Sequence, residues 1–289
     1  MVPPGPWRRR PAAEADRRME ERMACRCRAG LGRRAFLSRA AAAAAAALPL
    51  AGCDAAVPDW LADLLVPEEV AAELGLQAFR EILRDTPPVR DPGLQRQVAA
   101  VGRRIVEAST SPYRDWRFVV LDGPQVNAFA LPGGRVGVYA GMLRVAADEA
   151  QLATVLGHEV AHVNARHGAQ RIVAENAVAL ALRLGATLLA LGDAPVPPDL
   201  VVALGGAAAD LGLIRPFSRG QELQADGLGL RYLARAGYDP AAAVAFWRRM
   251  AALERGGGGR VPPFLATHPT GERRIEELER LLPAVRAGS

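Results

Sequence analysis

The chain has 289 residues with 50% apolar and 23% charged content, enough for a sizeable core and against disorder as the overall state. Its formal charge of +5 would suggest an anionic partner, but residues 1–52 hold eleven arginines against four acids and the rest of the chain is slightly acidic. A nucleic-acid-binding body is therefore excluded. Cysteine occurs only at positions 25, 27 and 53, so nothing beyond Cys53 can form an internal disulfide or offer a thiolate to a metal.

In chain order, Gly32-Arg33-Arg34-Ala35-Phe36-Leu37-Ser38 precedes a weakly hydrophobic run from Ala40 to Gly52, too short to span a bilayer. The paired arginines with Phe-Leu resemble a twin-arginine export signal, and Leu50-Ala51-Gly52-Cys53 resembles the lipobox of bacterial lipoproteins. The expected layout is a cleaved leader over 1–52, lipid on Cys53, a tether over 53–66 and a catalytic domain over 67–289. Helical spacing predicts helices over 67–84 and from Pro92 to Glu107. From Trp116 to Leu121 the period becomes two, and short strands follow at Val126 to Ala130 and Val136 to Tyr139 around Pro132-Gly133-Gly134. The expected fold class is α+β, mostly helical, with a small, mainly antiparallel sheet ahead of the central helix. Asn127, Ala128, Phe129 and Ala130 sit on a strand that either binds an extended substrate by main-chain pairing or is a structural hairpin.

Asp148, with Gln151 three residues on, predicts a capped helix running to about Arg166. It carries His158-Glu159-Val160-Ala161-His162. Residues four apart share a helix face, so both imidazoles can meet one metal ion, with Glu159 able to reach water beside it. That spacing points to a zinc-dependent hydrolase, in which Glu159 is the general base. His167 falls half a turn from His158 by regular helix geometry and is expected to point away from the metal. Ala165 and Gly168 exclude a third-histidine extension of the motif.

The third ligand is then expected to be a carboxylate. Glu222 is preferred over Glu175, because Ser218 and Gln221 predict a helix start and Asp226 lies one turn further, placed to orient a ligand histidine. Ala177 to Leu191 and the stretch to Leu213 read as buried or groove-lining helices. Pro240 to Glu254 and Glu272 to about Leu282 predict two more helices, with a glycine loop at Gly256 to Gly259 between them. His268, in Thr267-His268-Pro269, is a candidate fourth ligand, oxyanion partner or structural residue.

Five separated motifs resemble the HtpX and CAAX prenyl endopeptidase family of zinc metallopeptidases: Asn127 to Gly134, His158 to His162, Glu222-Leu223-Gln224-Ala225-Asp226, Ala236 to Pro240, and Thr267-His268-Pro269 with Arg273. The resemblance covers roughly residues 65 to 282. It implies a zincin-like domain with one zinc ion on His158, His162 and Glu222, Glu159 as base and His268 as a regulatory fourth ligand. It further implies the compact lipoprotein branch of the family, acting on unfolded or misassembled envelope proteins and held to a membrane through Cys53. The alternative from another class is a zinc-stabilised binding or assembly lipoprotein with little or no catalysis.

Overall fold

A computed structural model describes residues 57–109, 111–174, 217–256, 261–269 and 271–288. The leader and Cys53, the competing Glu175, the apolar stretch 177–213 and the glycine run 257–259 lie outside the described residues.

Helix α1 (Asp59–Leu65) falls within the stretch expected to be a tether. Val57, Ala62 and Val66 are buried there, and Arg166 donates to the Val66 carbonyl at 2.7 Å, so this part of the chain is packed down. Helix α2 (Glu68–Asp85) starts behind Pro67 with Glu68 and Glu69 in its first turn. Helix α3 (Pro92–Ala108) is capped by Asp91, whose carboxylate accepts from the Gly93 and Leu94 amides.

The sheet has three strands, β1 (Arg117–Leu121), β2 (Ala128–Leu131) and β3 (Arg135–Tyr139), in the order β1-β3-β2. β2 and β3 form the expected antiparallel hairpin, turned at Gly133 and Gly134, both at φ 77, where a side chain would be strained. β1 instead pairs parallel with β3, in the register Phe118↔Val136 and Val120↔Val138. The sheet is thus mixed, with one parallel and one antiparallel ladder. The alternation predicted the strands, but direction depends on the 122–127 connection, which carries β2 past β3 to its far side. The outer edge of β1 is met near its end by Pro87–Val89, bridged at Pro88↔Leu121, and by the Gln95 side chain: its amide donates to the Val120 carbonyl at 2.8 Å and its oxygen accepts from the Val120 amide at 2.9 Å. Among the described residues no strand pairs with the outer edge of β2.

After the short helix α4 (Ala140–Val145), α5 (Glu149–Asn164) runs through the centre, with every residue from Gln151 to Val163 buried. Asp148 caps it through the Gln151 amide at 2.8 Å, as the sequence predicts. Arg166, at φ 55, breaks the helix, and residues 167–174 start a new one, α6. Helix α7 (Arg219–Arg235) opens with a complete Ser218/Gln221 capping box and crosses α5. Helix α8 (Ala241–Gly256), short α9 (Pro263–Thr267) and α10 (Glu272–Ala287) complete the described helices. One apolar cluster joins α3, the sheet, α5, α7 and α8, and includes Ile105, Val120, Val138, Leu156, Leu230 and Phe246. No described helix is long and apolar enough to cross a membrane.

The crossing of α5 and α7 is set by two glycines. A Cβ added at Gly229 would stand 3.1 Å from the Gly157 carbonyl carbon and the His158 amide nitrogen, which are backbone atoms that cannot turn aside. One added at Gly157 would meet chiefly the movable tip of Leu233. Gly229→Ala is therefore expected to lower stability by about 1 kcal/mol, the overpacking cost less the gain in helix propensity. Gly157→Ala should be close to neutral in the same urea denaturation experiment.

Candidate metal centre

Helix α5 brings His158 and His162 onto one face, and α7 brings Glu222 against them from its first turn. His158 Nε2 lies 3.0 Å from His162 Nε2, and Glu222 stands 3.4 Å from the former and 3.3 Å from the latter. α9 ends at His268, whose Nδ1 is 3.2 Å from His158 Nε2 and 3.0 Å from Glu222 Oε1. One donor atom from each of the four residues lies within 4.8 Å of all the others. All four residues are 2% exposed.

These contacts fit a divalent metal better than hydrogen bonding. His158 Nδ1 lies 3.0 Å from Asp226 Oδ1, while its Nε2 faces His162 Nε2 and Glu222 inside the cluster. Bonds of about 2.0–2.1 Å to zinc in a tetrahedron put neighbouring donors about 3.3 Å apart, close to the separations in this cluster. Formal charge agrees. Glu159, Glu222 and Asp226 bring three negative charges to a buried volume where Arg274 supplies one positive, and a divalent cation makes up the difference.

The electrostatics follow the same balance. Burial would raise both carboxyls, but Arg274 holds Asp226 below the usual range, and His268, Arg274 and His158 together hold Glu222 well below it. Burial pulls His158 down, yet Glu222 and Asp226 outweigh it and push the imidazole up to about 9. Burial keeps His162 well below its ordinary value despite its contact with Glu222. Positive charge is thus drawn to His158 and disfavoured on His162.

Glu159 is 1% exposed; its Oε1 has no hydrogen-bond partner among the described residues, and His268 Nε2 stands 3.4 Å away. Of the expected substrate strand, Ala128 is buried, while Phe129 and Ala130 are half-buried on β2. Asn127 lies one residue before β2 and accepts from the Tyr139 amide through its carbonyl. Ala130 and Pro132 share a small recess with His162, Val163 and Phe217, so this end of the hairpin borders the centre.

Two expectations are corrected. His167 stays outside the four-residue cluster, but it lies against the far side of His162, Nδ1 to Nδ1 at 2.9 Å, and not half a turn away from it. Regular helix geometry fails for it because Arg166 turns the chain before His167 begins α6. Arg273, quoted with the last motif, is exposed, and its neighbour Arg274 is the buried arginine. Arg274 grips Asp226 with two bonds of 2.7 Å and reaches Glu222 Oε2 at 2.6 Å. Its guanidinium lies 3.8 Å over the Trp247 ring, which meets His158 edge-on. A cation on the apolar face of α10, four residues before buried Leu278, was the available signal for Arg274. Trp247 and Phe217 were also missed; Trp247 has the spacing of an ordinary core position, and Phe217 stacks on His162 at 4.0 Å from outside any periodic segment.

The model of Peptidase family M48 matches residues 92–282, which includes every residue of this cluster. The chain belongs to peptidase family M48. It is similar to the mitochondrial metalloendopeptidase OMA1 of Schizosaccharomyces pombe, at 39% identity over 64% of this chain and 52% of the relative. It is also similar to the metalloendopeptidase OMA1 of Danio rerio, at 34% over 73% of this chain and 45% of the relative. The β-barrel assembly-enhancing protease of Escherichia coli K12 is 31% identical over 71% of this chain and 42% of its own length. The chain thus spans about half the length of the curated relatives it matches. These relatives bear names other than the HtpX and CAAX prenyl endopeptidases suggested by the motifs, so the assignment stands at the level of the M48 family.

The arginine assignment has a direct test. Arg274→Met leaves two buried carboxylates without their partner and is expected to cost about 3–5 kcal/mol in chemical denaturation. Arg273→Met, at an exposed site, should stay within about 0.5 kcal/mol of the unmutated chain.

Proposed function

We propose that the chain is a zinc-dependent endopeptidase of the bacterial cell envelope, cleaving extended segments of unfolded or misassembled proteins. The observation that carries this reading is Glu159: a buried carboxylate oxygen left unpaired beside a metal-fitting cluster serves a reaction, whereas a purely structural metal site has no need of it. His158, His162 and Glu222 would hold the ion, with Asp226 and Arg274 fixing their orientation. When bound, zinc supplies a Lewis acid that polarises a carbonyl and acidifies water. Glu159 accepts the proton of the attacking water and delivers it to the leaving amine as the peptide C–N bond breaks. The edge of β2 with which no described strand pairs offers main-chain groups to an extended substrate of any sequence, and Asn127 to Ala130 are the residues assigned to that pairing. His268 fills the fourth corner of the cluster, and its withdrawal admits substrate.

The cellular part of the reading rests on the leader and on the relatives. The twin-arginine-like segment and Cys53 support export and lipid anchoring, with 1–52 removed and 67–289 forming the catalytic domain. A relative named for enhancing β-barrel assembly and others named as mitochondrial metalloendopeptidases support protein quality control at membranes. The complete burial of the four donor residues favours one rival, a zinc-held binding or assembly lipoprotein with little catalysis.

Glu159→Gln separates the two. The expected result is retained zinc with casein cleavage lowered by roughly 100-fold or more. Cleavage at the unmutated rate would remove Glu159 as the base, and a phenotype that survives Glu159→Gln but not Glu222→Ala would establish the rival. For the anchor, Cys53→Ala should move the protein from the membrane to the soluble fraction; unchanged fractionation rules out lipid at Cys53.

A further inference from the structure

We infer that His167, through a hydrogen-bond chain ending on Gln224, is a positioning residue that holds His162 in the one tautomer able to present a bare Nε2 lone pair to a metal. The inference rests on the metal reading proposed above and concerns a histidine outside the HExxH motif. His167 is fully buried, with Nε2 3.0 Å from Gln224 Oε1 and Nδ1 2.9 Å from His162 Nδ1.

With Gln224 presenting its carbonyl oxygen to the ring, the order of hydrogens along this chain follows inward from its outer end. The carbonyl oxygen of Gln224 only accepts, so His167 Nε2 carries a hydrogen. A neutral imidazole with a hydrogen on one nitrogen accepts at the other, so the hydrogen between the two rings belongs to His162 Nδ1. His162 Nε2 is then unprotonated, and it is this atom that lies 3.0 Å from His158 Nε2 and 3.3 Å from Glu222 Oε1. The reverse polarity would aim an N–H at the cluster and leave His162 no lone pair to donate there.

The geometry also fixes the ring. His167 meets His162 edge-on, with centroids 4.9 Å apart and planes at 72°, while Phe217 stacks on the same imidazole at 27°. The break at Arg166 is what brings His167 back against its neighbour. His158 receives the corresponding support from Asp226, a carboxylate gripped by Arg274. The two histidines of one helix turn therefore have supports of different charge, anionic for His158 and neutral for His162. An anionic partner raises ligand basicity more, so His162 is the weaker donor of the pair.

The test measures zinc affinity of the full chain by competition with a chromophoric chelator, alongside the visible spectrum of the cobalt-substituted protein. His167→Leu removes the chain at similar volume, His167→Asn restores an acceptor oxygen where Nδ1 was, and Gln224→Glu gives the chain a charge at an exposed position. The Leu variant is expected to bind zinc roughly 10- to 100-fold more weakly with a shifted cobalt spectrum. The Asn variant should stay close to the unmutated chain in both readouts, and Gln224→Glu should bind more tightly. If His167→Leu fails to fold, Gln224→Leu decides: it too should weaken zinc binding while leaving the melting of the metal-free protein unchanged. Equal losses in the Leu and Asn variants, or undiminished affinity in His167→Leu or Gln224→Leu, overturn the inference. Failure of the unmutated chain to bind zinc overturns the metal reading and the inference with it.

Discussion

Three carboxylates buried among apolar side chains set the conditions for the rest of the fold. Glu159, Glu222 and Asp226 are each at most 4% exposed, and moving a lone carboxylate into such surroundings is prohibitive unless opposite charge meets it. Arg274 reaches into the core to pair with two of them, and Trp247 forms the floor beneath its guanidinium. What remains is a negative pocket faced by three imidazoles. Metal binding and folding are coupled on this account, because the ion completes a charge balance that the polypeptide leaves open.

The helix crossing makes that arrangement possible. Glu222 and Asp226 reach the imidazoles only because α7 lies against α5 with backbone nearly touching backbone at Gly157 and Gly229. A wider crossing would hold the carboxylates away from the histidines, so the site's geometry and the packing of its two principal helices are one property.

Local rules made much of this legible. The Asp148 and Ser218 caps, the four-residue spacing of His158 and His162, and that of Glu222 and Asp226 are all short-range patterns, and the helices that carry them form where those patterns place them. The misreadings share another cause. His167 depends on a left-handed arginine that no glycine or proline announces, and Arg274 differs from Arg273 by one helical position, which only the packed face distinguishes. The parallel pairing of β1 likewise reflects the path of a connection, since alternation reports a strand's faces and not its direction. Packing and chain reversal are long-range facts, and one-dimensional periodicity carries little of either.

The two margins of the sheet differ in what already occupies them. An unguarded sheet margin is a template on which partly folded chains accumulate. The Gln95 amide and the Pro87–Val89 segment both bond the main chain of β1 between Val120 and Asp122, so that stretch of the margin has its hydrogen-bonding groups already engaged. On the proposed reading, a client chain adds at the β2 margin, which no described strand covers and whose end borders the metal centre.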